Sequence, residues 1–323
     1  MRYPSRKNIA IVGIGAWGKN YLNCIQRNDV LNIIALCDLR ENVRKIYEND
    51  YKTVAHYQEL CSLDEPLDAV IIATNVNSHY EISKYFLQKG IHVLCEKPLC
   101  KSSQSIKELN DIAISNEAVL LVGHTFLFND SFKFVKNIVT TKHQDLKMFC
   151  ERLGVNDRRE DVGALLDLAP HDVSMVLALF QEMPDSVSAQ ARFSDEKIDF
   201  CNLQMIYPRA FANIVVSWDY PIKERKVKVV SKNQIIEFND VNQERKISII
   251  NAEGIIEKPQ IEHREPLLNL LQNFHFLIDR SVYSDDYVSN AGFAFKVARI
   301  LELAKESIQN NGTKVRVEPK VTC

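Results

Sequence analysis

Apolar residues come in unbroken runs in the first third of the chain and in partly alternating runs thereafter. Residues 8–14, 33–37, 68–74, 91–95 and 118–122 are almost wholly apolar, as strands covered on both faces are. Between them, residues 16–27, 41–49, 78–89 and 103–116 read as helices, and the third of these stops at Gly90, a residue suited to a helix C-terminus. Strands and helices in strict alternation predict a parallel sheet with helices on both sides.

The rhythm changes after Gly123. Residues 145–153 read as a strand and 164–180 as a helix. Strands are expected at 186–193, 200–207, 211–218, 226–230 and 235–238. The runs 211–218 and 226–230 partly alternate, which suits an antiparallel sheet with one covered face. Leu267, Leu270, Leu271, Phe274 and Leu277 fall on one helical face, and a last helix is expected over 288–309. The pattern predicts an α/β domain at residues 1–122. An α+β domain with a large, mostly antiparallel sheet follows at 123–323.

Bulk properties narrow the function classes. The 323 residues suffice for two cores. A net charge of -2 gives no general attraction to nucleic acid or to an anionic membrane, so neither is an expected partner. The eight cysteines are scattered without a CxxC pair, so neither a zinc site nor a disulfide framework is expected. Residues 1–7 lead directly into a strand with no signal-type apolar segment, and no run is long enough to span a membrane. These features predict a cytoplasmic protein with reduced thiols.

Four motifs carry candidate chemistry. Gly13-Ile14-Gly15-Ala16-Trp17-Gly18 follows the first strand and opens the first helix, the context that makes GxGxxG a dinucleotide-binding fingerprint of the Rossmann type. Gly13 permits the turn, Gly15 lets a pyrophosphate approach, and Gly18 lets helix and strand pack closely. The amides at the start of the helix, including those of Ala16 and Trp17, suit phosphates. Asp38 ends the second strand, twenty positions after Gly18. A carboxylate there accepts the ribose hydroxyls and repels a 2′-phosphate, which favours NAD over NADP. Arg40 works the other way, since a guanidinium accommodates that phosphate.

Thr74, Asn75 and His79 lie where the third long strand runs into a helix, at the ligand edge of such a sheet. Glu96-Lys97-Pro98 ends the strand at 91–95, because Pro98 cannot donate to a ladder. A lysine there can be desolvated and act as an acid or base. Asp167 and His171 stand four apart, so on a helix they share a face and the carboxylate would orient the imidazole. Pro170 between them indicates that the regular helix begins nearby or is kinked. HExxH is absent and no third ligand has metal spacing, so no metal is expected.

Taken in order, Gly13-x-Gly15-x-x-Gly18, Thr74 with His79, Glu96-Lys97-Pro98 and Asp167-x-x-x-His171 resemble the glucose-fructose oxidoreductase / inositol dehydrogenase / rhizopine-catabolism (Gfo/Idh/MocA) family of NAD(P)-dependent oxidoreductases. The resemblance implies that Lys97 lies at the nicotinamide and substrate, and that Asp167 and His171 complete the catalytic group. It also implies a homodimer or homotetramer. Two positions depart from the family pattern: Thr74-Asn75-Val76 stands where Thr-Pro-Pro is common, and Ala169 where glycine is frequent. The wording Asp167-Leu168-Ala169-Pro170-His171-Asp172 is similar to branches acting on nucleotide-linked or modified sugars.

The expected reaction is reversible oxidation of a secondary sugar alcohol, with hydride passing to nicotinamide and the hydroxyl proton to His171 or Lys97. His124, Arg152, Arg158 and Arg159 are candidate substrate contacts, the arginines for a phosphate or carboxylate. A free-sugar or cyclitol dehydrogenase is the alternative within the class. A cofactor-binding regulator of the same fold is the alternative outside it.

Overall fold

A computed structural model describes residues 6–139, 145–155, 161–242, 244–280 and 288–318. The chain divides into two compact units, Met1–Thr125 with Glu265–Phe295, and Phe126–Arg264 with Lys296–Cys323.

The first unit holds a six-stranded parallel sheet. Its elements are β1 (Asn8–Val12), α1 (Ala16–Asn28), β2 (Asn32–Cys37), α2 (Glu41–Arg44), β3 (Lys52–Val54), β4 (Ala69–Ile72), α3 (Val76–Leu87), β5 (His92–Cys95), α4 (Ser103–Ser115) and β6 (Leu120–Val122). The strand order is β3-β2-β1-β4-β5-β6. Every pairing is parallel. Ile9, Ala10, Ile11 and the four residues of β4 are completely buried, which is why these strands are apolar throughout rather than alternating. The order reverses between β1 and β4, and loops at the carboxyl ends of strands around such a point form a ligand crevice. The second expected helix is shorter than its pattern suggested. It covers only Glu41–Arg44, and the mostly exposed residues after it form turns that lead into the short edge strand β3.

The second unit is built on a nine-stranded sheet. Its elements include α5 (Asp130–Ile138), β7 (Lys147–Leu153), α6 (Ala164–Phe180), β8 (Ser186–Ser194), β9 (Lys197–Ile206), β10 (Phe211–Ser217), β11 (Glu224–Val230), β12 (Gln234–Asn239), β13 (Ile247–Asn251) and β14 (Ile256–Glu257). With β15 (Val315–Arg316), the order is β14-β13-β12-β11-β7-β10-β9-β8-β15. The sheet is antiparallel except where β7 and β10 run parallel. Helix α6 packs on β7, β9 and β10. Met148, Cys150 and Arg152 of β7 alternate into the buried side, whereas Phe149 is 39% exposed. Pro170 sits inside α6 rather than at its start, because the regular helix already begins at Ala164, capped by Gly163.

Helix α7 (Pro266–Asp279) buries Leu267, Leu270, Leu271, Phe274 and Leu277, the face expected from its spacing. It belongs to the first unit, where it packs on α1 and where Glu265 accepts from Arg27 at 3.0 Å. Helix α8 (Ala291–Gln309) begins in the same unit and ends in the second. The second unit is therefore not the single run 123–323. The chain leaves the first unit after Thr125 and returns to it at Glu265, because α7 has an apolar face that α1 covers. Strands β13 to β15 and helix α5 were not expected from the sequence. They are short, and the three strands are largely half-exposed or exposed.

Candidate functional site

In the first unit, the carboxyl ends of five parallel strands bring six sequence candidates to one sheet edge. Gly13 follows β1, Asp38 follows β2, Thr74 follows β4, Glu96-Lys97 follow β5 and His124 follows β6. Gly13 has φ +90°, and its amide donates to the Cys37 carbonyl at 2.8 Å. A Cβ on Gly18 would lie 1.9 Å from the Gly13 oxygen, so only glycine lets α1 start this close to the turn. A Cβ on Gly15 would meet nothing within 4 Å. Gly15 is also the α1 N-cap and supplies no capping side chain. The first amides of the helix, Ala16 and Trp17 among them, thus suit an incoming anion.

Asp38 is almost buried and multiply bonded. Its carboxylate accepts from the Ile14 amide at 2.9 Å, from the Arg40 amide at 3.0 Å, and from Nε and Nη2 of Arg40 at 2.9 Å each. Burial opposes its charge, but the bonds from Arg40 and Ile14 outweigh burial and hold the carboxyl below its ordinary range. The carboxylate is thus ionised and aimed beside the glycine turn.

His79 is buried on α3, with Nδ1 2.9 Å from the Pro98 oxygen and Nε2 3.1 Å from the Thr74 oxygen. It ties the loop after β4 to the loop after β5. Asn75 caps α3, and Ser78 Oγ donates to Thr74 Oγ1 at 2.8 Å. Lys97 is only 5% exposed and precedes a cis Pro98. Beside it, Glu96 accepts from Tyr21 Oη at 2.7 Å and from the Lys97 amide at 3.1 Å. A Cβ on Gly123 would press to 3.0 Å from Glu96 Oε1. Neither Tyr21 nor Gly123 belongs to a motif that would mark it for this role.

His124 is buried, packs edge-on against Phe293 at 5.9 Å, and has no hydrogen-bond partner for either ring nitrogen among the described residues. Burial, then the Lys97 charge, pushes its pKa down to about 3. His92 accepts from the Val119 amide at 3.0 Å, and burial is the main force pushing its pKa down to about 4. An unfolded histidine takes up its proton near pH 6.5, roughly. Below that value the unfolded chain binds protons that the fold refuses, so stability falls with falling pH toward the folded pKa values. We expect the urea midpoint to drop between about pH 7 and about pH 5, and to drop less in a His124→Phe protein. Identical pH dependence in the two proteins would contradict a neutral buried His124.

In the second unit, Asp167 and His171 both lie on α6, one turn apart, as the spacing predicted. Trp218 Nε1 donates to Asp167 Oδ2 at 3.2 Å. His171 is 6% exposed and its ring lies 5.1 Å from that of Phe126. The next residue, Asp172, is buried and grips Arg152, with Nε at 2.8 Å and Nη2 at 3.0 Å. The Arg152 guanidinium also sits 4.1 Å over the Phe126 ring. Arg152 is therefore not a free surface cation but one half of a buried pair. Asp172, Trp218 and Phe126 are contributions that sequence reasoning missed; adjacency to His171 was the available signal for Asp172. Arg158 and Arg159 lie outside the described residues. Among the described residues, no cluster of three or more His, Cys, Asp or Glu could hold a metal ion. None of their helices is long and apolar enough to cross a membrane.

A glycine turn, an acidic second-strand end and a lysine at the end of the fifth strand of one parallel sheet define a dinucleotide-binding oxidoreductase framework. Residues 7–124 match GFO_IDH_MocA, an oxidoreductase family with an NAD-binding Rossmann fold, and residues 151–237 match the GFO/IDH/MocA C-terminal domain. The chain belongs to the Gfo/Idh/MocA family.

An uncharacterized oxidoreductase of Streptococcus pneumoniae serotype 4 is 30% identical over 190 residues, 55% of this chain and 51% of that protein. The scyllo-inositol 2-dehydrogenase (NADP(+)) IolW of Bacillus subtilis is 24% identical over 217 residues, 62% of this chain and 59% of that protein. The chain thus spans little more than half the length of these curated relatives. The structure of the UDP-N-acetylglucosamine 3-dehydrogenase GnnA of Acidithiobacillus ferrooxidans superposes with TM-score 0.85 at 17% identity, covering 94% of this chain and 98% of that one. At that identity the likeness is one of fold.

Proposed function

We propose that this protein transfers a hydride between a nicotinamide dinucleotide and a secondary alcohol or ketone of a sugar, with a nucleotide-linked or modified sugar as the first candidate. The observation that carries the proposal is Lys97, buried at the end of β5 on the same sheet edge as the glycine turn and Asp38. In this reading Lys97 hydrogen-bonds the reacting oxygen and offsets its developing charge. His171, oriented by Asp167, takes or returns the hydroxyl proton. The curated relatives named for scyllo-inositol and, at 27% identity over 124 residues, for UDP-N-acetylglucosamine support the sugar class. The test is a panel of UDP-sugars, dTDP-sugars, free aldoses and scyllo-inositol with NAD+ and NADP+, read by absorbance of the reduced nicotinamide. Reduction with at least one substrate is expected. No reduction with any of them, while NAD+ still binds, would favour the cofactor-binding regulator instead.

NAD is the preferred cofactor in this reading, because an ionised Asp38 repels a 2′-phosphate. Arg40 is occupied by Asp38, so its help to NADP requires breaking that pair. The Asp38→Ala protein is expected to bind NAD at least about ten-fold more weakly and NADP no worse. Unchanged NAD affinity would remove Asp38 from the ribose. A homodimer or homotetramer accords with the sheet of the second unit, whose face opposite α6 carries the paired rings of Phe149 and Phe211.

A further inference from the structure

Two guanidiniums stand opposite each other on the sheet of the second unit. Arg152 of β7 and Arg225 of β11 are directly paired across the antiparallel ladder. Directly opposed residues project from the same sheet face, and like charges so placed repel. That face is the one covered by α6, since Arg152 reaches Asp172 there.

The two arginines are not equally satisfied. Arg152 spends Nε and Nη2 on Asp172, but its Nη1 is buried and has no hydrogen-bond partner among the described residues. Arg225 is half-buried and makes no ion pair or side-chain hydrogen bond among the described residues. The carboxylates that act on it already have donors. Asp172 holds Arg152, Asp240 accepts from Lys246 at 2.9 Å and Asn129 at 3.3 Å, and Asp167 accepts from Trp218. Burial, then the charge of Arg152, makes the Arg225 proton easier to lose than usual, against the pull of those three carboxylates. Buried donors with no acceptor are costly and rare in folded proteins. A repelling pair of partly desolvated cations adds to that cost.

We propose that Arg225 and the Nη1 group of Arg152 bind an anionic oxygen cluster on the substrate, a carboxylate or a phosphate. An oxyanion there would accept from the buried Nη1–H, pair with Arg225 through its fork of donors, and screen the two cations from each other. His171 and Phe126 lie alongside, since Phe126 touches both His171 and Arg152. This deepens the proposed function by naming the substrate class: a charged sugar derivative rather than a neutral polyol.

The experiment is thermal unfolding of the full chain with inorganic phosphate, UDP, glucuronate and, as the neutral control, scyllo-inositol. It uses the wild type, Arg225→Gln and Arg225→Lys. At least one anion should raise the wild-type Tm, and its apparent affinity should fall about 10- to 100-fold in Arg225→Gln. Arg225→Lys should fall between, since an ammonium keeps the charge but not the planar fork. It also keeps the test decisive if the glutamine variant does not fold. Stabilisation by phosphate or UDP but not by glucuronate identifies a phosphate site, and the reverse a carboxylate site. No anion acting on the wild type, or equal action on all three proteins, overturns the proposal. Because no turnover is read, failure of the hydride-transfer reading would leave this result standing, and its own failure would leave that reading intact.

Discussion

Replacing Lys97 by methionine is expected to lower turnover about 10²–10⁴-fold while leaving dinucleotide binding almost unchanged. Methionine keeps the unbranched, buried stem and removes only the amine. Lys97 is as buried as Glu96 beside it, and Glu96 is already held by Tyr21 and the Lys97 amide. The substitution should therefore leave the loop after β5 in place, with His79 still bridging Pro98 and Thr74. The measurements are kcat on the substrate found in the panel and NAD affinity by titration. Near wild-type turnover would end the assignment of Lys97. A companion His171→Asn protein tests the partner. If the two residues act as a unit, the double variant should be scarcely slower than the worse single one.

Replacing Arg152 by methionine is expected to destabilise the protein by about 3–5 kcal/mol, because it strands a buried carboxylate. Asp172 is 1% exposed and both of its oxygens accept from Arg152. The Tm should fall by on the order of 10 °C. Adding Asp172→Leu should recover most of the loss, since an apolar pair of similar volume in place of a buried ion pair is often close to neutral. Urea unfolding of the wild type, both single variants and the double variant measures this directly. A loss below about 1 kcal/mol in Arg152→Met would mean that the pair is not a structural support for α6. The consequence reaches the candidate chemistry, because Asp172 is the neighbour of His171 on that helix.

Much of the nucleotide-binding framework is legible in the amino-acid sequence. Gly13-Ile14-Gly15-Ala16-Trp17-Gly18 is contiguous, and its requirements are local: a positive φ at Gly13, and space beside Gly18 for a neighbouring carbonyl. Glu96-Lys97-Pro98 is legible for the same reason, since a proline ends a strand whatever surrounds it. The spacing of Asp167 and His171 survives the proline between them because α6 is buried almost all round and keeps its helix through Pro170. The edge strand β3 and the true length of α2 are not legible. Their few apolar residues give too short a pattern for periodicity to register.

The partners of the candidate residues belong to a different kind of information. Tyr21 meets Glu96 across 75 positions, Trp218 meets Asp167 across 51, and Arg152 meets Asp172 across 20. The sequence alone determined which segments are apolar, at which period, and where backbone demands interrupt them. Those properties set two kinds of sheet and the row of candidates along one strand edge. Only the tertiary structure decided that residues 265–295 return to the first unit. It alone decided that, among the described residues, Arg152 has an ion-pair partner and Arg225 has none, and that His124 is buried without a hydrogen-bonding partner for its ring. Periodicity reports which face of an element must be covered, whereas what covers it depends on contacts between residues far apart in the chain.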